Sequence, residues 1–89
     1  MANQVVSVGI PKVVTTGSAQ LVLPRSGQML GFFSSATQAI SFYDAASTSG
    51  LPTAFATITA CAVGWNPFPC ELVNGLVINC ASQCTAVVV

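Results

Sequence analysis

Apolar and polar positions alternate along much of this chain. In residues 38–43, Ile40 and Phe42 fall on one side, and Ala39, Ser41 and Tyr43 on the other. In 54–62, Ala54, Ala56, Ile58 and Ala60 separate from Phe55, Thr57, Thr59 and Cys61. In 76–80, Leu76 and Ile78 oppose Val77 and Asn79. A period of two marks strands with one face turned inward. No segment keeps apolar residues at i, i+3, i+4 and i+7 over three turns, so helices are not expected. Twelve valines, eight threonines and seven aromatic residues favour strands. Turn formers recur at Gly9-Ile10-Pro11, Gly17-Ser18, Pro24-Arg25-Ser26-Gly27, Ser34-Ser35, Ser47-Thr48-Ser49-Gly50, Gly64, Asn74-Gly75 and Ala81-Ser82-Gln83, a spacing typical of sandwiches and barrels. The pattern predicts strands over 5–8, 12–15, 19–23, 29–34, 38–43, 54–62, 76–80 and 85–89. The expected fold is all-β: a small antiparallel sandwich, jelly-roll-like, of about seven to eight short strands. One domain spans 1–89. Pro11 suits an edge, and 1–15 is expected to form an N-terminal arm.

Composition changes the picture through what is missing. The chain has 89 residues, 53% of them hydrophobic and 4% charged; an ordinary soluble domain is about 25% charged. The charged residues are Lys12, Arg25, Asp44 and Glu71; there is no histidine, and the net charge is zero. Disorder is excluded, because disordered chains are poor in apolar residues and rich in charge. Two cations cannot displace a condensed counterion layer, so nucleic acid is not an expected partner. A metal site built on imidazole is impossible. A membrane-spanning helix needs about 20 mostly apolar residues in a row. The longest uncharged apolar stretch, 45–70, is broken by Pro52, Gly64, Pro67 and Pro69, so no membrane is expected. Met1-Ala2-Asn3-Gln4 lacks the basic and apolar regions of a signal peptide, which reads as synthesis in the cytosol.

The predicted outward faces carry Ala, Thr, Ser, Gln and Asn instead of charge. β-proteins commonly guard their edges with Lys and Glu, and a soluble monomer keeps its net charge away from zero. Two explanations compete: a small hydroxyl-coated domain that tolerates neutrality, or a surface largely covered by other subunits.

Little in the sequence points to catalysis. Cys61, Cys70, Cys80 and Cys84 all lie in the last third. Paired as Cys61–Cys70 and Cys80–Cys84, they close one loop and one three-residue turn as disulfides; unpaired, they are small buried apolar residues. No C-x2-C pair suggests zinc. Asp44 follows a strand and precedes a Ser/Gly-rich loop, where a carboxylate accepts backbone N–H groups; a paired-carboxylate mechanism with Glu71 has no support from spacing. Serine and threonine are abundant but have no histidine base. No catalytic residue, cofactor site or metal site is therefore expected. Arg25, in the Pro24–Gly27 turn, and Glu71, at a strand edge, are expected to meet a carboxylate or cation of the same chain or of a neighbour. Trp65 and Phe68, in the apparent loop Gly64-Trp65-Asn66-Pro67-Phe68-Pro69, either plug one end of the sandwich or anchor a subunit contact.

The run Gly31-Phe32-Phe33-Ser34-Ser35, followed by Ala39-Ile40-Ser41-Phe42-Tyr43-Asp44 and Ser47-Thr48-Ser49-Gly50, resembles one half of a pattern found in small phage structural proteins. Asn74-Gly75-Leu76-Val77-Ile78 followed by Thr85-Ala86-Val87-Val88-Val89 resembles the other half. The similarity covers about residues 28–89; the four cysteines depart from the pattern, and residues 1–24 lie outside it. The resemblance implies a β-sandwich virion component that is not an enzyme: a capsid decoration or cement protein, or a minor capsid protein. Its partners would be the major capsid protein or other virion proteins and further copies of itself, with a trimer favoured. It would reside in the virion after assembly in the host cytoplasm. The alternative from residues alone is a small disulfide-linked secreted or surface domain acting as a binding module.

Overall fold

The computed structural model describes residues 10–14 and 19–89. Eight strands appear: β1 (Ile10–Val14), β2 (Gln20–Leu23), β3 (Gly27–Ser34), β4 (Ile40–Tyr43), β5 (Ala56–Ile58), β6 (Gly64–Leu72), β7 (Leu76–Cys80) and β8 (Cys84–Val88). They build two four-stranded antiparallel sheets, in the orders β1-β8-β3-β6 and β2-β7-β4-β5. The pairs β1 with β8, β2 with β7, β3 with β6 and β4 with β5 nest like one long hairpin. Rolling that hairpin so that β8 also meets β3 and β7 also meets β4 gives the jelly roll. The fold is thus an all-β sandwich, with no helix among the described residues.

Alternation picks out Ile40, Phe42, Leu76 and Ile78 among the inward positions. Phe32, Phe42, Met29, Ile40, Leu76, Ile78, Val14 and Val88 are fully buried between the sheets. The Phe42 ring is central, with ring centroids 5.6 Å from Phe32 and 5.0 Å from Phe68 in tilted contacts. Burying each such side chain contributes about 1.5–3 kcal/mol.

Several expectations need correction. The segment 64–69 is not a loop. It opens the nine-residue strand β6, which pairs with β3 from Gly27↔Leu72 to Ser34↔Gly64. Its burial alternates: Trp65, Pro67, Pro69 and Glu71 are exposed, while Asn66, Phe68, Cys70 and Leu72 turn inward. Proline is tolerated because β6 is an edge strand, where a missing N–H on the open side costs no ladder bond. Conversely, 54–62 is only a strand at Ala56–Ile58, since β4 offers four residues to pair with. Of the expected arm and the Gly9-Ile10-Pro11 turn, Ile10–Val14 is an integral strand paired along β8. The strand expected at 5–8 and the turn at Gly17-Ser18 lie outside the described residues.

The edges are guarded without much charge. β1 carries Pro11, β6 carries Pro67 and Pro69, and β2 and β5 are only four and three residues long. Proline and short length both discourage edge-to-edge pairing. What the fold leaves open is a face.

Candidate interaction surface

Register places the outward residues of the first sheet in rows. Val13 pairs with Thr85, Thr85 with Phe33, and Phe33 with Trp65. One row further, Pro11, Val87, Gly31 and Pro67 align the same way. No charged side chain belongs to either row. Val13 is 59% exposed, Phe33 49% and Trp65 44%. Cross-strand neighbours stand about 4.5–5.5 Å apart, so these form one apolar patch, of the kind that marks an interaction site.

Trp65 is held in place on this patch. Its ring centroid lies 4.9 Å from that of Phe33. A Cβ built on Gly31 would sit 2.6 Å from Trp65 Cη2 and 2.5 Å from the Asn66 carbonyl oxygen, so the indole lies over a position that only glycine leaves vacant. Trp65 is therefore neither an end plug nor a loop residue, but a strand residue on an open face. Phe68, expected beside it as a contact residue, points the other way, half-buried and packed against the core.

The second sheet presents a different outer face. Asn79, Ser41 and Thr57 form one row, and Leu21, Val77 and Tyr43 another. Val77 is fully buried although it lies outside the core cluster. Amides, hydroxyls, a covered valine, a half-buried Tyr43 and the lone exposed apolar Leu21 replace the continuous aromatic row.

The four charged residues sit at the periphery. Lys12 is exposed on edge strand β1 and Glu71 on edge strand β6. Arg25 is exposed in the β2–β3 turn, where its Nη1 donates to the Ser26 carbonyl at 3.0 Å. Asp44 follows β4 and accepts N–H bonds from Val73 (3.0 Å), Asn74 (2.7 Å) and Gly75 (3.2 Å). Burial pushes its carboxyl up, but those three donors outweigh it and hold the pKa below the ordinary value. A backbone-accepting aspartate was expected, but its target is the β6–β7 turn, at the entry to the neighbouring strand β7, not its own loop. Gly75 permits the approach: a Cβ there would meet the Leu23 and Ala45 carbonyl oxygens at 2.4 and 2.5 Å.

The four cysteines stand as thiols. Cys84 Sγ lies 3.6 Å from Cys80 Sγ, so that pair is brought together at the β7–β8 crossover. Burial first, then the neighbouring Cys80 and Cys61, push the Cys84 thiol up to about 12. Burial likewise raises Cys80 and Cys70, so these three are protonated at neutral pH. Cys61 and Cys70 are not brought together. Cys61 N donates to the Gln38 carbonyl at the end where β6 begins, whereas Cys70 lies opposite Met29, on the order of 20 Å along β6. A disulfide needs Cα atoms within about 7 Å.

Near the thiols, Gln38 is buried and satisfied: Nε2 donates to Ser34 Oγ and to the Ser82 carbonyl, both at 2.9 Å, and Oε1 accepts from Ser82 N at 2.6 Å. This clamp ties the β7–β8 crossover to the β3–β4 connection. A shallow hollow of about 450 Å³, lined by Phe33, Val63, Gln83 and Thr85 among others, adjoins the patch. A second, of about 260 Å³, lies by Met29, Cys70 and Glu71. Among the described residues no group of three His, Cys, Asp or Glu side chains is placed to hold a metal ion. Sequence reasoning identified Trp65 but not Val13 or Phe33 as its neighbours, since register between distant strands carries no local signal.

Fold and surface together define a class: a jelly-roll domain with, among the described residues, blocked edges and one exposed apolar sheet face. No protein-family model, curated protein or solved structure matches the chain.

Proposed function

We propose that this protein is a non-enzymatic structural component of a virion, a capsid decoration or cement protein or a minor capsid protein, that strengthens the shell through subunit contacts. The observation that carries this reading is the uncharged row Val13–Thr85–Phe33–Trp65, exposed on a fold whose edges are closed by proline and short strands. Apolar, charge-depleted cores are what stable subunit interfaces bury. The jelly roll adds support by analogy, since capsid domains use it, as does the phage-like pattern over residues 28–89. The major capsid protein and further copies of this chain are the proposed partners, within the virion. Quantitative mass spectrometry of purified particles tests it. The chain is expected in multiple copies per capsomer; its absence from particles, with a monomer persisting at high concentration, overturns the proposal.

The second reading, a secreted binding module held by two disulfides, draws support only from the 3.6 Å Cys80–Cys84 approach. Intact-mass measurement with and without reduction separates the two. A loss of four hydrogens in protein from its native source favours the secreted module.

A further inference from the structure

The first sheet's outer face has a step in it. Its β3–β6 half carries Phe33 and Trp65, and its β1–β8 half carries the smaller Val13 and Thr85. We infer that this face binds the same face of a second copy, about a two-fold axis running parallel to the strands in the interface plane. This rests on the protein being an assembly component, and it names the surface and the partner.

The step selects the axis. A two-fold along the strands carries β1 of one copy over β6 of the other and β8 over β3, at unchanged height. Trp65 then packs on the partner's Val13, and Phe33 on the partner's Thr85. In the next row Pro67 meets the partner's Pro11, and the Trp65 indole, which covers Gly31, meets the partner's Val87. Each bulky half fills the low half opposite, at the roughly 10 Å spacing of stacked sheets. An axis perpendicular to the strands would set bulky half on bulky half and leave the low halves apart.

Charge does not choose between the axes: both rows are uncharged, Lys12 pairs with the buried Ala86 and so is rooted on the inner side of the sheet at its β1 edge, and Glu71 lies opposite Gln28, about three residues further along.

The face also fits one contact in extent. Four strands at about 4.8 Å, of five, five, eight and nine residues, cover on the order of 430 Å² per copy. Two copies then bury about 860 Å², below the ~1,000 Å² of a stable specific interface and in the range of weak contacts. The dimer is accordingly weak and concentration-dependent, and it closes on itself because the contact is isologous. That differs from the trimer implied by the phage resemblance.

Sedimentation equilibrium of the full chain under reducing conditions, over a wide concentration range, tests the inference. A monomer–dimer equilibrium is expected. The emission of Trp65, the single tryptophan, should shift to the red as the dimer is diluted apart. Trp65→Glu should weaken the dimer at least about thirtyfold, and Thr57→Glu on the other sheet should leave it unchanged. The wild-type dilution shift stands without either variant, should one fail to fold. A monomer at all concentrations, a trimer, or equal weakening by Thr57→Glu would overturn the inference. The particle proposal fails separately: a monomer found in particles sinks the dimer alone, and a dimer missing from particles sinks the virion role alone.

Discussion

The two outer faces of the sandwich come from the same chain and share one core, yet they differ in kind. The first sheet shows Val13, Phe33 and Trp65 to solvent in one row. The second shows Asn79, Ser41, Thr57 and a single exposed apolar residue, Leu21, while its outward Val77 is already covered. A scarcity of charge over the whole chain therefore has two local meanings. On the second sheet, hydroxyls and amides hydrate the surface without charge. On the first, Thr85 is the one hydroxyl in the exposed row, and the Trp65 ring fills the space that Gly31 leaves beneath it. The difference teaches that composition alone does not mark an interface; the arrangement of apolar residues across distant strands does.

The largest expected effect ignores the faces altogether. Phe42→Ala removes the ring that joins Phe32, Phe55 and Phe68 at the core and should cost about 3–5 kcal/mol in chemical denaturation. Because both sheets depend on it, both faces should be lost together; survival of either would mean that the sheets fold separately.

Next is Gly31→Ala, which forces a methyl against the Trp65 ring and the Asn66 carbonyl. It should cost about 1–3 kcal/mol and shift Trp65 emission, so it breaks the ordered face in particular. A smaller effect, about 1 kcal/mol after solvent screening, is expected for Asp44→Ala, which frees three N–H groups in the β6–β7 turn. Its pH dependence has a definite sign. The carboxyl's pKa is lowered on folding, so its stabilisation is present above the unfolded value of 3.8 and is lost as pH falls through the lower folded value. The Asp44→Ala variant should lose that part of the acid-induced fall in Tm.

The buried thiols act at the other extreme. Unfolded Cys84 ionises near 9.0, folded Cys84 only at about 12, so the unfolded state loses its proton first. Stability should be flat up to about pH 9 and should fall as pH rises toward 12; a thermal melt series in reductant measures this, and Cys84→Ala should make the fall shallower, leaving the part due to Cys70 and Cys80. Smallest of all, Thr57→Lys on the hydrated face should change stability by less than about 0.5 kcal/mol.

Much of this architecture is legible in the sequence. Alternation identifies the inward residues of β4 and β7, and turn residues separate β2 from β3 and β6 from β7. The stretch 64–72 is not legible as a strand because Gly64, Pro67 and Pro69 are the residues that ordinarily end one. They survive there only because β6 has an open side, and edge position follows from global topology. The interaction surface was half visible. Trp65 stood out as the single tryptophan, but Val13, Thr85 and Phe33 join it only through pairings between residues far apart in the chain. Asp44 was recognisable as a backbone acceptor and its partner turn was not, for the same reason.

Whether the first sheet's outer face is covered by protein in the proposed particle is the central point. Hydroxyl-radical footprinting of purified particles, set against the free chain at high dilution, addresses it directly. Trp65 and Phe33 should be oxidised several-fold more slowly in particles, while Tyr43 on the second sheet keeps its rate. An unchanged Trp65 rate in particles that contain the chain would contradict the account.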